Sequence, residues 1–393
     1  MYVTRRLSMY QKDRSALSLP PPDGPDTGIL VIQDIENDFK HCFGFTCPIF
    51  GSCLSFNITT GLPLPQNTVL EACNMNTWSY IQPIPVINKP LSAGVYYILN
   101  SGFGCHRGLA YTSCGAKTEY KFCFCCEDVH EVGPKPLDAS SKYQQFYITR
   151  GGSGFRFKSL ASDGHAPERL QSLHRMSSEI KRSNFQLDDV SGLDHSLRGC
   201  LPEFDFPLSR GSSDAAVVGK WYCPFMFIKE NNVALKNQVT MSRFYEMTLK
   251  QQWVRIFSCS NCNYNSTAGD SIAFDVDVET EVVYVFGMEN CQNAKVIDRI
   301  KWFEGLDKEG EAAPSVGLDR VIIEKIIRDQ ESFGWVRGKD KVKGVERFEG
   351  EAEEWKEFGC YMLVERYILR RRDKTLVLTW EFRHAHRIRC KWE

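Results

Sequence analysis

The feature that most narrows the fold is the alternation in AFDVDVETEVVYV, residues 273–285. Phe274, Val276, Val278, Thr280 and Val282 point one way, and Asp275, Asp277, Glu279 and Glu281 the other. A period of two marks an extended strand with one buried and one wetted face. Short apolar runs continue the theme: ILVIQD (29–34), PIPVIN (83–88), GVYYILN (94–100), GLAYTS (108–113) and EYKFCFC (119–125). Pro, Gly and Asn punctuate them, as expected of strands joined by turns. VVGKWYCPFMFIKE (217–230) and FYEMTLKQQWVRIFSC (244–259) read as strands too. CYMLVERYIL (360–369) and TLVLTWEFRHAHRIRCKW (375–392) form a terminal hairpin turning near Arg372 and Asp373. The best helix is GLDRVIIEKIIRDQESFGW (317–335), with Leu318, Val321, Ile322, Lys325 and Ile326 in one stripe. The expected fold is α+β and β-rich, with mainly antiparallel sheets and few helices.

A chain of 393 residues exceeds one ordinary core, so two domains are expected. Residues 1–157 read as an N-terminal β-rich domain carrying a Cys-rich hairpin, and 217–393 as a C-terminal α+β domain ending in a long basic hairpin. Between them, 158–216 is polar and Ser/Asp-rich without a sustained period, which reads as an interdomain segment. WSYIQPIPVINKPLSAGVYYIL (78–99) and WYCPFMFIKENNVALKNQVTMSRFYEM (221–247) each run Trp, Pro, strand, polar loop, aromatic strand. A degenerate internal duplication and a coincidence between two β-rich stretches both fit that echo.

The net charge of −1 gives no overall field for polyanions, so nucleic acid is not an expected partner. No apolar run reaches the length of a transmembrane helix, and the first residues lack the apolar core of a secretory signal. Sixteen cysteines are too sparse for a disulfide scaffold. A cytoplasmic protein with reduced thiols is the expectation, the nucleus remaining open and secretion not expected. The sequons at Asn57 and Asn265 are then without consequence.

Several phrases are distinctive: MYVTRRLSMY, SALSLPPPDGPDTGILVIQD, YQQFYI, NFQLDDVSGLDHSLRGCLPEFDFPLS, VVGKWYCPF, FYEMTL, VERYILRRRD and HRIRCKWE. On these the chain resembles, from end to end, a plant family called domain of unknown function 1262. Residues 40–62 fit the pattern least well and read as a local insertion. The resemblance implies a plant source and an intracellular protein. It brings no activity, cofactor or catalytic residue that could be carried over, and only a bare expectation of a stress or defence role.

The run 105–130 holds five cysteines and two histidines. Read as a hairpin turning at 115–117, it separates Cys114 from Cys123 by roughly 13 Å, beyond any shared cage. Cys105, His106, Cys126 and His130 are the four residues such a hairpin brings together, so zinc there is one reading. Their spacing lacks the C-x₂-C pairing of ordinary zinc modules, and reduced structural thiols lead, with a regulatory redox pair as the third reading. Cys259 and Cys262 form a C-x₂-C without a second pair, and read as a turn. His384 and His386 share one face of a strand and could present two imidazoles to a metal, though no third ligand is apparent; core-edge histidines are the plainer reading.

Arg370, Arg371, Arg372, Lys374, Arg383, Arg387, Arg389 and Lys391 make the most concrete interaction patch. Residues 361–393 hold nine basic against four acidic side chains, whereas 345–359 hold six acids against two bases. Mutual neutralisation of the two segments is the leading reading, with an acidic protein partner or anionic surface as the other. GFGCHRG and GGSGFRF lack the helix and the lysine that phosphate loops require. With no catalytic motif, the expected function is non-enzymatic binding of a protein or ligand. The alternatives are an enzyme with a site built from sequence-distant residues, or a β-rich membrane-acting module.

Overall fold

The computed structural model describes residues 1–33, 61–74, 77–102, 104–115, 121–123, 126–128, 132–151, 154–172, 178–182, 185–261, 271–289, 295–305, 314–349 and 355–393. The chain divides into two compact units. The first comprises Met1–Gly192, Trp221–Lys229 and Val233–Arg243; the second comprises Leu193–Lys220, Glu230–Asn232 and Phe244–Glu393. The polar stretch 158–216 is thus shared between them rather than standing apart. Its few apolar residues account for this: Phe185 and Val190 are buried in the first unit, Phe206 and Leu208 in the second. Most of the expected insertion at 40–62 lies outside the described residues.

In the first unit, β1 (Tyr2–Arg6) runs parallel to β2 (Gly28–Ile32). Its main sheet uses β3 (Thr68–Asn74), β4 (Thr77–Pro85), β5 (Val95–Asn100), β8 (Gln145–Gly151), β9 (Gly154–Ser159) and β10 (Ser178–Arg182). They lie in the order β10-β3-β4-β5-β8-β9, each pair antiparallel. Leu70, Ile81, Ile98, Phe146, Ile148 and Phe155 form its apolar centre. A separate ribbon pairs β6 (Lys121–Cys123) with β7 (Cys126–Asp128). Short helices α1 (Leu7–Lys12), α2 (Glu168–Ser172) and α4 (Leu235–Met241) complete this unit.

Two short strands, β11 (Gly192–Leu193) and β13 (Ile228–Glu230), and the longer β12 (Ala216–Pro224) carry the chain between units. The second unit is dominated by β14 (Phe244–Ser260), β22 (Glu357–Arg370) and β23 (Leu376–Trp392). β16 (Glu281–Val285) and β17 (Met288–Glu289) extend that sheet in the order β17-β16-β23-β22-β14. β18 (Lys295–Ile297), β19 (Ile300–Glu304) and β20 (Ser315–Asp319) make a smaller antiparallel sheet. A ribbon of β15 (Ser271–Glu279) and β21 (Lys339–Arg347) packs on the long strands, with α3 (His195–Cys200) and α5 (Arg320–Ser332).

The alternating stretch 273–285 is two strands rather than one. The chain turns a corner at Thr280, whose hydroxyl donates to the Gly338 carbonyl (2.7 Å) and accepts from its N–H (2.9 Å). The Thr280 carbonyl accepts from the Trp335 indole (2.8 Å) and the Arg383 N–H (2.9 Å). These bonds satisfy the backbone where the ladder changes partner. Before the corner, the acidic face of β15 meets the lysines of β21: Lys343 lies 3.0 Å from Asp275 and Lys341 3.4 Å from Asp277. The helix also starts later than its pattern predicts. Asp319 caps α5 by accepting from the Val321 N–H, leaving Gly317 and Leu318 in β20.

The terminal hairpin carries a second irregularity. His384 stands opposite Leu363 and Ile388 opposite Met362, so residues 385–387 face no partner. Three extra residues invert the alternation of β23. Before the bulge, even-numbered residues face α5; beyond it, Ile388, Cys390 and Trp392 join the opposite core with Phe358, Cys360 and Met362.

On that core side, Phe274 of β15 lies across Gly344 of β21. A Cβ at Gly344 would stand 2.5 Å from the Phe274 ring. Gly344→Ala is expected to destabilise the protein by about 1–3 kcal/mol through overpacking, read as a lower midpoint in denaturant unfolding.

Candidate functional site

CYMLVERYIL places Tyr361, Leu363, Glu365, Tyr367 and Leu369 on one side of β22. Glu365 therefore projects from an apolar row into the space under α5, where it is fully buried. An ionised carboxylate survives there only if its oxygens are paired and hydrogen-bonded. Three sequence-distant elements supply the partners. Arg198 of α3 grips the carboxylate with a two-pronged fork, Nε donating to Oε1 at 2.8 Å and Nη2 to Oε2. Gln251 of β14 donates to Oε1 at 2.8 Å, and Gln330 of α5 to Oε2 at 2.6 Å.

The shell around this pair is equally ordered. Arg198 Nη1 donates to the Asp329 carbonyl (3.1 Å), and its guanidinium lies 4.0 Å from the centre of the Phe333 ring. The Asp329 carboxylate accepts from Lys325 and, at 3.3 Å, from the Tyr367 hydroxyl. Burial and the Asp329 charge push the Tyr367 hydroxyl well above its ordinary range. Asp194 sets α3 in place by accepting from the Leu197 N–H, which fixes Arg198 one turn on. His384 is fully buried, with Nε2 3.8 Å from the Glu365 carboxylate.

Burial alone would raise the Glu365 pKa; His384 and Arg198 hold it down to about 2. This is a geometry that fixes a carboxylate as an anion and uses it to join strands to helices. Arg198, Glu365 and His384 are 3%, 0% and 0% exposed, so water has no ready access to the pair.

The residues singled out by sequence pattern meet different fates. Cys105 and His106 are exposed, Cys126 pairs with Cys123 across the β6–β7 ribbon, and His130 lies outside the described residues. The hairpin expected to turn at 115–117 does not pair as drawn: Ala110 bridges Leu99 and Lys135, and Cys114 bridges His165. Among the described residues, no three His, Cys, Asp or Glu side chains gather as metal ligands. Cys262 lies outside the described residues, while Cys259 is partly exposed. The His384 and His386 rings sit 5.7 Å apart, as the shared face predicts. His384 is enclosed beside Phe333, whereas His386 is exposed, its pKa lowered by burial and by the neighbouring His384 and Arg387.

The basic patch divides. Arg383 lies with Glu381 (3.3 Å) on one side of β23, whereas the bulge carries Arg387, Arg389 and Lys391 to the other. There Arg387 stacks on Phe333 (3.8 Å), Arg389 lies over Trp253 (5.1 Å), and Lys391 donates to the Phe206 carbonyl. At the turn, Arg371 pairs with Glu230, Lys374 with Glu246 (3.0 Å), and Arg370 donates to the Lys374 carbonyl (3.0 Å). Arg372 is exposed. Among the described residues, acids that pair with this patch include Glu230, Glu246, Glu381 and Glu393; Glu351, Glu353 and Glu354 of the acidic run lie outside the described residues.

These strands and their buried ion cluster define a β-rich α+β protein of mainly antiparallel sheets. Residues 23–125 match the model of a family described as "Protein of unknown function (DUF1262)", which bears out the family resemblance there. No curated protein matches the chain. Among solved structures, the crystal structure of Cry35Ab1 is similar with a TM-score of 0.45 at 9% identity. That likeness covers 84% of this chain and 90% of the other.

Removing one partner of a buried pair strands the other charge. Glu365→Gln and Arg198→Met are each expected to cost about 3–5 kcal/mol in equilibrium denaturation, while Arg198→Met with Glu365→Leu costs less than the sum. The pH dependence has a fixed sign. Because the folded-state pKa of Glu365 lies below its ordinary 4.5, its contribution is present above that value and is lost as pH falls towards about 2. The loss of about 3 kcal/mol should be visible in unfolding midpoints across that window and absent in the double variant.

Proposed function

We propose that this is a non-enzymatic binding protein whose partner is another polypeptide, taken up in extended form. The observation that carries the reading is β18, the outermost strand of its sheet among the described residues. Successive strand residues point to opposite faces, and here Val296 is 71% and Ile297 55% exposed. Both faces of the strand are bare, and its outer backbone edge faces away from β19. Isolated surface aliphatics are ordinary, but two neighbours on an outer strand form a template for strand addition. Lys295 flanks them and pairs with Glu304 at 3.6 Å, so a charge stands at one end of the edge.

A second reading, an enzyme with a site assembled from sequence-distant residues, draws on the convergence of Arg198, Lys325, Glu365 and His384. Their enclosure favours an architectural role, since a substrate would have to open the protein to reach them. A membrane-acting reading would require the apolar side of β15 to leave the core where Phe274 and Val278 are buried.

Affinity capture from tissue extract with the full chain as bait, followed by mass spectrometry, tests the binding reading. Val296→Lys with Ile297→Lys is expected to reduce recovery of the captured partner at least tenfold while circular dichroism stays unchanged. Equal recovery by the folded double variant would sink it.

A further inference from the structure

Cys360 of β22 and Cys390 of β23 stand directly opposite one another in the ladder. Their kind of pairing follows from the end of the hairpin. Glu357 and Glu393 exchange both backbone hydrogen bonds, each 2.9 Å, so theirs is a hydrogen-bonded site. Phe358 with Trp392, Gly359 with Lys391 and Cys360 with Cys390 then follow in unbroken register. Strict alternation makes the cysteine pair a non-hydrogen-bonded site, where antiparallel Cα atoms approach to about 4.5 Å. That falls within the range of about 4.4–6.8 Å that a disulfide spans. Cys360 is buried and Cys390 partly exposed, and both are free thiols.

We propose that Cys360 and Cys390 are a site of reversible oxidation, closing a cross-strand disulfide by exchange with a low-molecular-weight disulfide. The exposed thiol is the attacker. Cys390 loses its proton to solvent and its thiolate attacks one sulfur of the small disulfide, forming a mixed disulfide and releasing one small thiolate. Cys360 then loses its proton and its sulfur displaces the second small thiolate, forming the Cys360–Cys390 bond. Two protein thiols are oxidised and one small disulfide is reduced to two thiols, so electrons and protons balance.

The environment supports that order of events. A hydrogen bond from Cys360 lowers the Cys390 pKa, against burial and the Glu346 charge. The same hydrogen bond, together with burial, pushes Cys360 up, as suits a resolving thiol that waits for a partner. Phe358, Met362 and Trp392 wall the pair within its core and leave the approach to the Cys390 side.

The test is incubation of the full chain in graded mixtures of reduced and oxidised glutathione, acid quenching, alkylation and peptide mapping, because sixteen cysteines must be told apart. Expected is a Cys360–Cys390 linked peptide that returns to two alkylated thiols on reduction. Cys360→Ser should trap Cys390 as its glutathione adduct, at least tenfold above the wild-type level of that adduct; Cys390→Ser should leave Cys360 unmodified. Cys360→Val replaces Cys360→Ser if the serine variant fails to fold. The proposal is overturned if folded wild type never yields the linked peptide, or yields it only in denaturant. It is equally overturned if Cys390 in the folded Cys360 variant takes up no glutathione.

Discussion

A carboxylate with no exposed surface, at Glu365, is the constraint around which the second unit is arranged. Its oxygens accept from a guanidinium on α3, an amide on β14 and an amide on α5. None of those donors is a sequence neighbour, so the anion is satisfied only when strands and helices have all docked. Desolvating such a pair offsets much of its attraction, and apolar replacements of similar volume often hold a fold as well. What the charge adds is discrimination: a helix shifted by one turn would leave a buried ion without its hydrogen bonds. The same logic extends to Lys325 and Asp329 on α5, whose pairing lets the helix turn a polar stripe towards the sheet.

Much of the β-rich character was legible because alternation and turn residues are local signals. The ranges of β2, β5, β14, β22 and β23 lie where the apolar runs predict them. Less legible was the meaning of polar residues inside those runs. Glu365 between Leu363 and Tyr367, and Gln251 between Leu249 and Trp253, each interrupt an otherwise apolar face. That interruption is the one signal that could have found the cluster. Arg198 gave none, because a six-residue helix in a polar segment resembles any solvated loop until its partner is known.

Register was the other blind spot. A period-two reading of β23 places Arg383, Arg387, Arg389 and Lys391 on one face, which makes a basic patch. The bulge at 385–387 breaks that continuity, and the later cations lie instead against Phe333, Trp253 and Phe206. Thr280 acts in the same way, ending one strand and starting another within a run of perfect alternation. Both irregularities are set by long-range partners, Gly338 and Trp335 in one case and β22 in the other. Propensity has no access to such partners.

The sulfur atoms make the same point from the opposite direction. Density along the chain drew attention to residues 105–130, yet proximity in sequence says little about which thiols meet. Cys360 and Cys390 are separated by a whole hairpin, and neither stands in a recognisable spacing. They meet because an antiparallel ladder converts two distant positions into neighbours, and because alternation from Glu357 and Glu393 puts them at the close site rather than the wide one. The bulge matters here as well. Had residues 384–390 continued in regular alternation without a bulge, Cys390 would project to the other side of the sheet and could not face Cys360. The irregularity that dissolves the basic patch is thus the one that assembles the thiol pair.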